Sequence, residues 1–262
     1  MADYETILTE RKGDVLVLTL NRPERLNAAS LQMAEDIKLA LYDIGDARAL
    51  LITGAGRAFC SGADLQARGG DSAVKGGDSS HRALMNGYNP ALSQIMRLNV
   101  PVVTAVNGPA AGVGCSIGLA GDFVLAGKSA YFLQAFVNIG LVPDGGSTWL
   151  LAKAIGKPRA TQMMMLGERI GAEQAEQWGL IYKAVDDAAL QDEALALATR
   201  LAAGPTVSLA TMRKNIMTAL DGTFDEVLRA EAEGQRIAGG TSDAREGGLS
   251  FLEKRKPAFT GK

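Results

Sequence analysis

Three glycine-rich turns hold the groups that could do chemistry. The first reads Arg57-Ala-Phe-Cys-Ser-Gly-Ala-Asp-Leu65. Ser61, Gly62 and Ala63 are small enough to let a ligand approach the main chain closely. If a helix starts here, its first N–H groups are unpaired donors in a positive dipole field. Asp64 reads equally as a helix cap or a surface charge. The second turn lies in Val106-Asn-Gly-Pro-Ala-Ala-Gly-Val-Gly-Cys-Ser-Ile-Gly-Leu-Ala120, again a strand entering glycines and then a helix. The third, Gly140-Leu-Val-Pro-Asp-Gly-Gly-Ser-Thr-Trp149, sets Asp144 between a proline that fixes φ and two glycines that free the next bend. A carboxylate at such an apolar turn can act as a base. The same residue can equally be the N-cap of the helix that follows.

Other chemistries find too few residues. Gly112 to Gly118 is similar to a dinucleotide fingerprint, but that motif follows the first strand of its unit and needs an acid about 20 residues on. Asp122 comes too soon and Asp144 too late. His81 is the single histidine, which excludes a multi-histidine metal site. No nucleophile motif lies near it, which argues against a Ser-His-Asp triad. No metal site is expected. Cys60 and Cys115 stand alone in apolar stretches and suggest a reducing compartment.

The elements that must position these turns can be read from hydrophobic patterning. Val15–Leu20, Ala49–Thr53 and Val102–Val106 are continuous apolar runs, as expected of buried strands. Phe123–Ala126 and Tyr131–Phe136 are shorter candidates. Ser30 caps a helix whose apolar positions Leu31, Ala34, Ile37, Leu41 and Ile44 follow helical spacing. Strands alternating with helices predict an α/β fold with mostly parallel strands. Beyond residue 185 the pattern is helical, with helices over Leu190–Leu201, Val207–Leu220, Phe224–Ile237 and Ser242–Arg255. Gly69–Ser80 has almost nothing to bury and reads as a mobile surface loop around His81, either a neutral insertion or a lid.

The chain has 262 residues, 27 basic against 29 acidic, and a net charge of −2. That balance lacks the basic footprint of a nucleic-acid partner. The longest suspicious apolar run, Ala110–Ala120, is 11 residues with three glycines. A membrane span needs about 20, so no membrane partner is expected. The first residues lack a basic and then apolar leader. Together these features predict a soluble, cytoplasmic protein.

Taken in series, the three turns resemble the enoyl-CoA hydratase/isomerase, or crotonase, superfamily. Asn21-Arg-Pro-Glu-Arg-Leu-Asn-Ala28 is similar to its N-terminal signature, and Phe251-Leu-Glu-Lys-Arg-Lys-Pro-Ala-Phe259 to its C-terminal one. The match spans nearly the whole chain in order. The resemblance implies a superhelix of ββα units at 1–200 that binds acyl-CoA, then a C-terminal helical trimerisation region at 201–262. It implies a homotrimer or dimer of trimers, with coenzyme A entering as part of the substrate and no prosthetic group. Its two oxyanion donors, both backbone amides, fall on Ala63 and Val113. Arg25, Leu26 and Ala28 match its adenine and pantetheine path, Ser61, Asp64 and Leu65 its nucleotide-side contacts. Phe251 and Lys254 match positions that reach the cofactor, often from a neighbouring subunit.

Two departures bear on the reaction. The two glutamates of true hydratases fall on Ser116 and Phe136, residues that would line the substrate pocket here. The acid that remains, Asp144, resembles the catalytic aspartate of dienoyl-CoA and 1,2-epoxyphenylacetyl-CoA isomerases, the latter closest in look. It also resembles the nucleophilic aspartate of 4-chlorobenzoyl-CoA dehalogenases. The resemblance thus implies an acyl-CoA isomerase acting through a thioester enolate, with a hydratase or a non-catalytic CoA-binding homologue as alternatives.

Overall fold

A computed structural model of the chain describes residues 4–64 and 76–262. Among them a six-stranded sheet runs β1 (Ile7–Lys12), β2 (Val15–Leu20), β3 (Ala49–Gly54), β4 (Val102–Val106), β6 (Phe123–Gly127) and β9 (Lys183–Val185). β1 is antiparallel to β2; every later pairing is parallel. A second sheet orders β5 (Ala110–Ala111), β7 (Tyr131–Leu133) and β8 (Arg169–Gly171).

The parallel strands read as unbroken apolar runs because both faces are covered. Leu16, Leu18 and Leu20 of β2 join the core beneath α1 (Leu31–Tyr42), while Val15 and Val17 face the opposite cluster with Ala49, Leu51, Val103 and Ala105. That second cluster is closed by α7 (Leu190–Ala202), whose Leu190, Ala194, Ala198 and Ala202 recur every four residues on one buried face.

Strand, short inner strand and helix repeat along the chain. β4, β5 and α4 (Val113–Leu119) form one unit; β6, β7 and α5 (Ser147–Leu166) form another. Before them, single bridges stand in for the inner strand, pairing Cys60 with Ala110 and Ala29 with Ala63. This is the predicted α/β superhelix of ββα units. The inner residues follow the carboxyl ends of the parallel strands, where ligand sites of α/β sheets sit.

Several local readings are corrected. The run Tyr131–Phe136 is a strand only to Leu133; Ala135–Ile139 coils into a tight 3-10 turn closed by Leu141 N–H on the Phe136 carbonyl, 2.9 Å. Of the stretch expected as a loop, 69–75 lies outside the described residues, and Gly76–Ser80 are helical, in α2 (Gly76–Ala83) with Asp78 in its first turn and His81 and Arg82 in its last. Those charges complement the helix dipole. His81 is exposed. α2 passes through a wider turn at Leu84–Tyr88 into α3 (Asn89–Arg97). No described helix is long and apolar enough to cross a membrane.

Three helices follow α7: α8 (Thr206–Asp221), α9 (Phe224–Gly239) and α10 (Ser242–Leu252). α10 ends before Arg255, whose guanidinium turns back to Glu246 at 2.5 Å. α8 is pinned by the buried Arg213. Its Nε lies 2.6 Å from Asp122 Oδ2, and its terminal nitrogens donate to the carbonyls of Leu98, Val100 (3.0 Å) and Ile95 (3.3 Å). Asp122 in turn accepts Val102 N–H at 2.7 Å. Arg213→Ala would take the cation from that carboxylate and a donor from each of three carbonyls, so we expect a loss of about 3 kcal/mol in urea unfolding with an unchanged m value. A midpoint equal to that of the parent would show that α8 is held by something else.

Candidate active site

The first two glycine turns meet edge to edge. Cys60 N–H donates to the Pro109 carbonyl at 3.0 Å, and Ala111 N–H returns to the Cys60 carbonyl at 2.9 Å. Such an approach needs missing side chains. A Cβ on Gly114 would collide with the Cys60 carbonyl. Gly112 also adopts φ 51°, ψ −127°, a backbone state that side-chain-bearing residues avoid.

Beyond this junction two amides are left over. Ala29 N–H takes the Gly62 carbonyl (2.7 Å) and Asp64 N–H takes the Ala29 carbonyl (2.9 Å), so the ladder skips Ala63. Val113 opens α4, where a first-turn N–H has no carbonyl one turn back. Among the described residues neither amide donates to a backbone carbonyl. Val113 is buried and Ala63 half-buried, so both donors sit largely out of bulk water.

Asparagines hold the start of the first turn. Asn27, fully buried, donates to the carbonyls of Ala55 and Ala58 at 2.8 Å each and accepts Arg22 N–H at 2.8 Å. Asn107 accepts Gly54 N–H at 3.1 Å and donates to the Gly56 carbonyl at 2.9 Å. Sequence reasoning missed both roles; for Asn107, its place at the start of a glycine turn after a strand was the signal available.

The residues expected to meet coenzyme A divide into two groups. Arg25, Leu26 and Ala28 are gathered beside the first turn: Ser61 N–H donates to the Leu26 carbonyl (3.0 Å) and Ser61 Oγ to that of Arg25 (3.4 Å). Asp64 is not a surface charge. It is 7% exposed and pairs with Arg22 at 2.8 Å, while Arg22 also donates to the Ala28 carbonyl at 2.6 Å. Leu65 lies outside the described residues. Phe251 and Lys254 are exposed at the end of α10, and no described hydrogen bond or ion pair joins them to these turns.

Asp144 arrives from the other side. It is not the cap of α5: that helix begins at Ser147 with Gly146 before it, and no side chain caps it. Instead the Asp144 carbonyl accepts Ser147 N–H (3.1 Å) and Ser147 Oγ (2.8 Å), and Ser116 Oγ lies 3.2 Å away. Ser116 belongs to α4, the helix that Val113 opens. It is wholly buried, with its hydroxyl turned toward this carbonyl. The turn carrying Asp144 is thereby fastened to the helix carrying the second amide. Asp144 itself is half-buried, with Oδ1 shielded from solvent. The Phe136 ring stands 3.4 Å from where a Cβ on Gly112 would be, and so closes the same corner. An apolar cavity of about 840 Å³ adjoins the Asp144 turn; Gly145, Gly146, Leu92, Met96, Trp149 and Met217 line it, whereas Ala63 and Val113 do not.

Comparison with known proteins agrees with this architecture. The fold is that of solved crotonase-type enzymes. An enoyl-CoA hydratase subunit from Geobacillus kaustophilus superposes with a TM-score of 0.91 at 32% identity, covering 100% of both chains. One from Bacillus anthracis gives 0.92 at 28%, covering 98% of this chain and 100% of that one. The family model described as Enoyl-CoA hydratase/isomerase matches residues 10–262. The chain therefore belongs to the enoyl-CoA hydratase/isomerase family, enzymes that act on coenzyme A thioesters. It is 44% identical to the 1,2-epoxyphenylacetyl-CoA isomerase of Escherichia coli (strain K12), over 98% of this chain and 99% of that one. It is 43% identical to a probable enoyl-CoA hydratase of Rhodobacter capsulatus, over 99% of each.

Two expectations test this geometry. Gly114→Ala must push the two turns apart, so we expect it to cost about 1–3 kcal/mol in urea unfolding and to weaken turnover of any acyl-CoA substrate. Wild-type stability and turnover together would show that the turns do not need their close contact. Second, burial pushes the Cys60 thiol up to about 11 and the Cys115 thiol up to about 12 from an ordinary 9.0. Both stay protonated at pH 8, so a disulfide-exchange reagent should release no thiol from the folded protein and both thiols in denaturant. The unfolded chain loses these protons above pH 9 while the folded chain keeps them. Their contribution to stability therefore falls from pH 9 toward 11.

Proposed function

We propose that the chain is an acyl-CoA isomerase that shifts a double bond, or opens an aromatic-derived epoxide, through a thioester enolate. The observation that carries the reading is the fastening of the Asp144 turn, through Ser116, to the helix that presents the Val113 amide. A thioester oxygen held by the Ala63 and Val113 amides would gain negative charge as Asp144 takes a proton from carbon. The same carboxyl then returns the proton to another carbon, and the bond order moves. Each oxyanion donor is typically worth about 10² to 10³ in rate and a positioned base about 10² to 10⁴.

Residue chemistry favours this over hydration. Adding water across a double bond needs water activated on one side and a proton delivered to carbon. Ser116 and Phe136, at the positions of the hydratase glutamates in the resemblance, supply neither. Phe136 in place of a carboxyl group makes the corner beside Gly112 drier, which supports an aromatic or polyunsaturated acyl group. The name of the Escherichia coli relative makes 1,2-epoxyphenylacetyl-CoA the first substrate to assay, and a role in phenylacetate breakdown would follow. Hydratase activity is the rival that the Rhodobacter relative's name favours.

The rest of the reading concerns binding and assembly. Arg25, Leu26, Ala28 and Ser61 form the near wall for the nucleotide end, with Asp64 holding that wall through Arg22. Phe224, Leu228, Phe251 and Leu252 are apolar and exposed on α9 and α10, which supports 201–262 as an oligomerisation region of a homotrimer or dimer of trimers, with 1–200 as the catalytic core. Two buried free thiols support a reducing, cytoplasmic setting.

Asp144→Asn should keep acyl-CoA binding and lose at least about 10² in turnover. A panel of unsaturated and ring-derived acyl-CoAs, followed by mass and NMR, checks the reaction class. Isomerisation leaves the mass unchanged, hydration adds one water, and an unaltered acyl group with tight binding marks a non-catalytic homologue. Undiminished turnover by Asp144→Asn would remove the aspartate from the mechanism.

A further inference from the structure

We propose that Ser116 and Ser147 are positioning residues for the base: a buried pair of hydroxyls that fixes the Asp144 turn against the oxyanion helix. The inference rests on the isomerase reading above and concerns how its base is held.

Both serines are fully buried, so their hydroxyls must find partners inside the protein. Their oxygens are 2.7 Å apart, and each faces the same acceptor, the Asp144 carbonyl, at 2.8 Å from Ser147 and 3.2 Å from Ser116. Two hydroxyl protons serve three close contacts. The distances favour Ser116 donating to Ser147 and Ser147 donating to the carbonyl. Ser147 N–H also donates to that carbonyl at 3.1 Å, which fills its second lone pair. The first turn of α5 thus binds the Asp144 backbone directly, and α4 is linked to it through the Ser116–Ser147 bond.

The neighbouring residues make room for this arrangement. Gly145 has φ 59°, and a Cβ there would stand 3.1 Å from Ser116 Oγ and 2.9 Å from Leu92 Cδ1. The bend therefore lies against Ser116 only because residue 145 has no side chain. Ser116 is three residues after Val113, so one turn of helix sets the distance between an oxyanion donor and the backbone of the base. A shift of about 1 Å in a reacting group can cost ~10²-fold in rate. A longer side chain at 116 could not make the short contact to Ser147. The serine that takes the place of a hydratase glutamate thus removes one carboxylate and steadies the remaining one.

The test is a double-mutant cycle in the full-length protein. Ser116→Ala and Ser147→Ala are made in the parent and in Asp144→Asn, then assayed for kcat, KM and acyl-CoA affinity where urea curves show each variant folded. In the parent, each should lower kcat by about 10- to 100-fold with KM and affinity unchanged, and the two together should cost little more than either. In Asp144→Asn, the same substitutions should cost nothing further, because they act through the aspartate. Should Ser116→Ala fail to fold, Ser147→Ala reads the same pair, since Ser147 N–H still holds the carbonyl. Parent-level kcat in both serine variants, with Asp144→Asn inactive, would overturn the positioning role and leave the base intact. Losses of the same size in the Asp144→Asn background would also overturn it, by showing a general structural effect. Full turnover by Asp144→Asn itself would instead sink the base assignment, and the positioning role with it.

Discussion

The structure depends on one close contact between two stretches of main chain. Hydrogen bonds between Cys60, Pro109 and Ala111 draw the first two turns together, and Gly114 lets α4 settle onto the Cys60 carbonyl. The contact leaves Ala63 and Val113 with donors that the ladders do not use. An unpaired buried donor costs about 1–3 kcal/mol, so the surrounding bonds must offset that cost while no ligand is present. Asn27 and Asn107 do so at the start of the first turn, and the Arg22–Asp64 pair ties its far end to the segment before α1. Both N–H groups are thus held in place by the protein itself, which is the arrangement that the proposed electrostatic role requires.

The parts of this design that were legible in the sequence are those governed by local pattern. β2, β3 and β4 announce themselves because strands covered on both faces carry no polar alternation. The α7 stripe is equally plain. β1 escaped because it is an edge strand: Thr9, Glu10, Arg11 and Lys12 hide its single inward anchor, Ile7. Tyr131–Phe136 misled for the opposite reason: it is apolar except at Gln134, the residue at which the chain turns. Glycine turns could be seen, but not what holds them. The Asn27 and Asn107 bonds join residues 28 to 53 positions apart. Ser116 reaches Ser147 across 31 positions. No window along the chain contains such pairs.

The C-terminal helices obey a different logic from the core. α7 is buried along one face, whereas α8 buries only Ala210 and Arg213, and α9 only Gly234. Their attachment rests on polar anchors placed where carbonyls would otherwise be stranded. Arg213 gathers the loose end of α3. Arg48 reaches the carbonyls of Gly204 (2.6 Å) and Phe259 (3.1 Å) from the start of β3. Guanidinium groups suit this work because one planar fork serves several acceptors. The consequence is a region whose apolar residues stay available at the surface while its orientation is set by the core.

On the proposed reading, the chemistry then turns on Ser116 and Phe136, the residues that the resemblance sets at the positions of two carboxyl groups. With Ser116 tied to the Asp144 carbonyl and the Phe136 ring against Gly112, the corner around the amides holds apolar carbon where a second acid would sit. Such surroundings strengthen the pull of two N–H groups on a developing oxyanion, because low polarity weakens screening. They also deny water the hydrogen bonds it would need to be held for attack. In the proposed reaction a single carboxylate takes a proton from carbon and gives it back at another carbon, a task it can complete alone. The same close packing that holds the two amides would suit the proposed isomerisation, a reaction in which nothing is added.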